Sequence, residues 1–149
     1  MPAIHDITTD TENPPEFDLI LDFRKDALNS SEYGGPEISS QQEKAYPDIK
    51  PALIEVTPDQ AYEICLKTAK EMNWDIVNAK VDKRLIEATD RTFWFGFKDD
   101  IVIRITPSGK SSRVDVRSVS RVGRSDVGTN AKRIRKYLKK LSQKAEKSQ

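Results

Sequence analysis

The chain has 149 residues, enough for one ordinary domain that buries roughly two-thirds of its unfolded surface. Charged residues make up 33% and apolar ones 36%, a polar balance that places part of the chain outside any core. The single Cys65 excludes an internal disulfide framework and a multi-cysteine zinc site.

The start, "MPAIHDITTD", has neither a basic leader nor an apolar export core, and no stretch approaches about 18 continuous apolar residues. The expectation is a chain with no transmembrane segment, cytoplasmic as it stands, or membrane- or envelope-associated if it is part of something longer. The net charge of +1 hides an asymmetry. Residues 1–55 carry four Lys and Arg against 12 Asp and Glu, whereas residues 56–149 carry 21 against 12. Opposite potentials attract, so residues 1–55 are expected to form an acidic, Pro-rich arm packing on an α+β domain of residues 56–143, with a basic flexible tail at 144–149.

From the N-terminus onward, the arm reads as irregular. "TENPPEF" and "YGGPEISS" are clusters of turn formers, and "AYPDIKP" sets two prolines four apart on an extended path. Between them "FDLILDF" is either a short strand or a strap, too apolar for a free tail.

Thr57, Pro58 and Gln60 then occupy the N-cap, N1 and N3 positions of a capping box, which predicts a helix start. Ala61, Cys65, Ala69 and Met72 lie on one stripe of that helix, and Asn73 is a suitable stop. Cys65 on this stripe reads as a core thiol, not a nucleophile.

Four strands are predicted next: "WDIVNAK", "LIEATDR" after the turn "VDKR", "DIVIRIT", and "SRVDVRSVSR" after the hairpin "PSGKS". Alternation in the last two implies one buried and one wet face. Keeping the apolar sets together restricts the register, and opposite charges select the pairing of Arg104 with Asp115 on the outer face. A last helix follows from Val127, Ala131, Ile134, Leu138, Leu141 and Ala145, spaced by three and four, with Lys and Arg between. The expected fold class is α+β: helix, four-stranded antiparallel meander, helix, with both helices on one face of the sheet and an irregular N-terminal arm.

Signals of chemistry are sparse. Phe93, Trp94, Phe95 and Phe97 around Gly96 fit a packed corner better than a stacking platform. Asp99 and Asp100, adjacent in a strand, point to opposite faces, which favours turn or ion-pair roles over a shared metal or acid-base site. His5, Asp6 and Asp10 could ligate a metal, but Asp and Thr in a turn more simply cap backbone groups. No G-x-S-x-G elbow accompanies the lone His5. "VGRSDVGTN" has glycines before a helix start, the ingredients of an anion site, without the spacing of a nucleotide loop. Asp126 there could cap the helix itself, leaving Arg121 and Arg124 for Asp99, Asp100 or the arm.

"IHDITTDTENPPEF", "AYPDIKP", "WFGFKDDIVIRI" and "SRVDVRSVSRVGRSDVGTNAKRI" together resemble the bacterial and plastid family known as domain of unknown function 1499. The resemblance spans nearly the whole chain. Its pattern falls on Phe97, Lys98, Asp99, Asp100, Arg117, Ser118, Ser120, Arg121, Gly123, Ser125, Asp126, Gly128 and Asn130. It implies no particular activity, but it implies that the arm belongs to the domain. Family members often carry an N-terminal membrane segment or export signal, which this chain does not display.

The leading reading is therefore a non-catalytic binding or accessory module. Arg113, Arg117, Arg121 and Arg124 would form an exposed basic surface for an acidic protein partner or an anionic envelope component. An alternative is an enzyme or small-anion binder built on an Asp/Arg/Ser cluster. Candidate binding residues are Asp99, Asp100, Arg117, Arg121, Arg124, Ser125, Asp126 and Asn130, with no metal and no cofactor expected. Nucleic-acid binding through Lys132, Arg133, Arg135, Lys136, Lys139 and Lys140 is a second alternative that a near-zero net charge disfavours.

Overall fold

A computed structural model describes residues 4–25, 27, 29–91, 97–122 and 128–148. Its elements run β1 (Asp6–Thr8), a 3-10 turn (Leu19–Phe23), α1 (Pro36–Ala45), β2 (Ala52–Ile54), α2 (Pro58–Glu71), β3 (Asp75–Lys80), β4 (Leu85–Arg91), β5 (Lys98–Ser108), β6 (Ser111–Ser120) and α3 (Thr129–Lys147). The class is α+β with one antiparallel sheet. β3 to β6 pair in sequence as a meander, and β1 and β2 both pair with the far edge of β6, which makes six strands instead of four.

Local chemistry explains the central elements. Thr57 Oγ1 accepts from the Gln60 N–H while the Gln60 side chain accepts from the Thr57 N–H, so the capping box that begins α2 is complete. Asn73, just past the helix end, takes φ 63°, the left-handed conformation that Asn tolerates. Between β5 and β6 the turn is made at Gly109, φ 59°. That turn sets Arg104 opposite Asp115, the pairing charge complementarity selects.

α2 and α3 pack on one face of the sheet, over Ile86, Ala88, Ile101, Ile103, Val114 and Val116. Tyr137, fully buried, stacks on Trp74 with ring centroids 5.1 Å apart and donates to the Cys65 carbonyl at 2.8 Å. Cys65 lies in this core, where burial pushes its thiol up to about 12.

Three expectations require correction. The arm is not irregular throughout: it contributes two strands, a 3-10 turn and a ten-residue helix. "GGPE" is a helix start, with Gly35 at the N-cap (φ 74°) and Pro36 in the first turn, where a missing N–H costs nothing. Buried Gln42 of α1 then acts as a surrogate strand, donating to the Thr8 carbonyl and accepting from the Thr8 N–H, which closes the exposed edge of β1.

The second face of the sheet is also not wet. Phe17 and Ile20 of the arm pack on Val102 and Val119 in a second small core. Finally, α3 runs through Lys147 with Ala145 buried, so residues 144–147 are helix and not a flexible tail.

Candidate functional site

The strand register places charges in rows across the sheet. Asp75, Thr89, Asp100 and Val119 follow one another across the arm-covered face, and one residue earlier or later along the strands Asp90, Asp99 and Ser120 do so on the helix-covered face. The adjacent pair Asp99 and Asp100 therefore serves two different clusters.

On the helix side, Asp90 and Asp99 stand directly opposite each other, an arrangement that would repel if left bare. Arg133 of α3 bridges them, with Nε 2.9 Å from Asp90 Oδ2 and Nη2 2.8 Å from Asp99 Oδ2. Its Nη1 donates to Asn130 Oδ1 and Ser118 Oγ. Ser118 Oγ donates to Asn130 Oδ1 at 2.6 Å, and Asn130 Nδ2 donates to Ser120 Oγ at 2.9 Å. The cluster fastens α3 to the sheet, with two carboxylates to one guanidinium among the described residues.

On the arm side the ratio is inverted. Asp100, completely buried, accepts from Arg24 Nη1 at 2.5 Å, from Arg121 Nε and Nη2 at 2.8 and 2.9 Å, and from Thr89 Oγ1 at 2.9 Å. Two guanidiniums thus share one carboxylate, an excess of one positive charge in this cluster among the described residues. Arg24 Nε is buried without an acceptor. Beside this cluster opens a cleft of about 270 Å³ lined by Phe23, Asp75, Val77, Thr89, Arg91, Lys98 and Arg121. Neither Arg91 nor Lys98 has an ion-pair partner among the described residues.

The other arginines expected on an exposed ridge are occupied. Arg117, 2% exposed, forms a bidentate pair with Asp6 at 3.0 and 2.7 Å, donates to the Pro15 and Ser31 carbonyls, and lies over the rings of Phe17 and Tyr33. It fastens the arm to β6. Burial pushes the Tyr33 hydroxyl up to about 12, with nearby Asp6 adding to the effect. Arg113 shares Asp10 and Asp115 with Arg104, and Thr9 Oγ1 donates to Asp115 at 2.7 Å. Asp10 is held below 3.8: burial raises it, but the N–H groups of Asn13 and Glu12 and the Arg104 guanidinium more than offset that.

Of the residues proposed from sequence, Asp100 and Arg121 meet, Asp99 and Asn130 meet through Arg133 on the opposite face, and Arg117 stands apart. Arg124, Ser125 and Asp126, with the expected Asp126 cap, lie outside the described residues, as do Phe93, Trp94, Phe95 and Gly96. The basic helix is partly spent as well: Arg133 is buried, and Arg135 pairs with Asp48 at 2.6 Å. Asp6 and Asp10 of the "HDITTD" segment pair with arginines, and no group of three or more His, Cys, Asp or Glu converges among the described residues. Arg24, Thr89 and Arg91 are not among the candidates that the sequence singles out. No local signal marks Arg24, whose partner Asp100 is 76 positions away.

No helix among the described residues is long and apolar enough to cross a membrane. None of the curated proteins matches the chain. Among solved structures it is similar to Ara h 8.0201 (11% identity, TM-score 0.47, covering 66% of this chain and 95% of that one). It is similar also to CalU16 from Micromonospora echinospora (10%, 0.42, 66% and 82%) and to TTHA0849 from Thermus thermophilus (11%, 0.38, 66% and 95%). At these scores the likeness carries no argument. The sequence match is of another order: from Asp6 to Leu141 the chain fits one family pattern, and it belongs to the family described as protein of unknown function (DUF1499).

Proposed function

We propose that this protein is a binding module for an anionic group, received in the cleft between Arg91, Lys98 and Arg121. One observation carries the reading: the buried Asp100 is shared by two guanidiniums, and two cations without an ion-pair partner among the described residues line the adjoining cleft. Excess positive charge held out of water is costly unless an anion offsets it. Among the described residues Asp75 is the one carboxylate lining the cleft, which leaves a net positive lining. Acidic side chains of a protein partner and anionic envelope components both present such a group. The arm is part of the device, since it supplies Arg24.

The expected Arg ridge is replaced in this reading by a recessed site, because Arg113, Arg117 and Arg121 are bound to carboxylates. The test is thermal unfolding of the full chain with inorganic phosphate at low and high sodium chloride. Phosphate that binds only the folded protein at about 100 times its Kd adds about 2.7 kcal/mol of stability. Lys98→Ala, at a half-buried and unpaired position, should keep the fold and lose most of that gain. An equal gain in the variant contradicts the assignment.

A second reading has its own observation. Lys132, Lys136, Lys139 and Lys140 on α3 have no ion-pair partner among the described residues. They suit a large acidic partner, and charge reversal at Lys136 and Lys139 would weaken its capture while leaving phosphate binding unchanged.

A further inference from the structure

We propose that the anion received by this cleft is the head of an amphiphile, a phosphate or carboxylate carried on an apolar chain. The inference rests on the anion-site reading and adds the nature of the rest of the ligand. Phe23 is a wall of the same cleft and is 58% exposed, and Val77 contributes further apolar lining. Cations and an exposed aromatic ring on one small cleft match a molecule with both kinds of surface.

Phe23 is not exposed through slackness of its segment. The 3-10 turn that carries it is anchored at Ile20, which is fully buried in the second core. Buried Glu87 accepts from the backbone N–H groups of Asp18 and Ile20, so the start of the turn is tied to β4 by one carboxylate. Side chains three apart align in a 3-10 turn, so Phe23 follows the anchored Ile20 towards the sheet end that carries the cleft, yet stays 58% exposed. Water contact at the ring of Phe23 on an anchored turn is unfavourable in the free protein and is relieved when a chain covers it. Lys25, exposed and without an ion-pair partner among the described residues, follows directly, and Asp22 is the acid within the turn. The cleft, about 270 Å³, holds a headgroup and the first part of a chain, with the remainder left to lie against Phe23.

The test is calorimetric titration of the full chain with inorganic phosphate and with octyl phosphate below its micelle threshold. Octyl phosphate should bind tighter by about tenfold or more, as burial of several methylenes requires. Phe23→Ser should remove that advantage and keep the affinity for inorganic phosphate. Equal affinities in the unaltered protein, or an advantage that survives Phe23→Ser, overturns the amphiphile and leaves the anion site standing. Failure of both ligands to bind overturns the two readings together. Flotation with phosphatidylcholine vesicles, with and without phosphatidylglycerol, separates the sources. Capture that needs phosphatidylglycerol and Phe23 places the amphiphile in a bilayer, and octyl phosphate binding without capture places it free in solution; either result supports the proposal.

Discussion

Asp99 and Asp100 are consecutive in β5 and both removed from water, yet their surroundings are opposites. Asp99 belongs to a cluster in which Arg133 bridges it to Asp90 and the neighbouring polar atoms are tied to Ser118, Ser120 and Asn130. Asp100 belongs to one with more base than acid, beside a cleft. A buried network whose polar atoms find partners specifies packing, whereas one that leaves a guanidinium N–H without an acceptor beside a cationic cleft is poised for a ligand. The contrast separates a structural fastening from a candidate site in residues that the sequence presents as a pair.

The contrast breaks first under amide substitution. Asp100→Asn removes the carboxylate that Arg24 and Arg121 share among the described residues and should cost about 3–5 kcal/mol, the cost of breaking a buried pair. Asp99→Asn leaves Arg133 with Asp90 and should cost about 1–3 kcal/mol. Urea unfolding of the two variants compares them directly, and equal losses would remove the distinction.

A smaller effect comes from acid. Asp10, in the Arg104 and Arg113 cluster, has its folded value below the unfolded one of about 3.9, so its contribution is fully present above that pH and is lost as pH falls through the folded value. The stability of the unaltered protein should therefore drop more steeply below a pH of about 4 than that of Asp10→Asn. Parallel acid limbs would show that Asp10 carries no such linkage.

Local signals account for what the sequence makes legible. The capping box at Thr57, the left-handed stop at Asn73 and the two-residue alternation of β5 and β6 each depend on neighbours within a few positions, and together they yield α2, the meander and the Arg104–Asp115 pairing. β1 and β2, at three residues each, are too short for alternation to register. α1 hides behind "GGP", which reads as a breaker but supplies an N-cap and a first-turn proline. The site is half legible. Arg121 and Asp100 stand out as charges in a patterned region, while Arg24 and Phe23 reach it only because the arm folds over the sheet face that alternation alone marks as wet.

Whether the positive excess around Asp100 receives an anion can be read residue by residue from amide and guanidinium NMR spectra recorded during titration with inorganic phosphate. Saturable shifts are expected at Arg91, Lys98, Thr89 and Arg121, with Arg133 and Asn130 unmoved. Shifts confined to the α3 lysines, or none at the cleft at saturating phosphate, would contradict an anion site there.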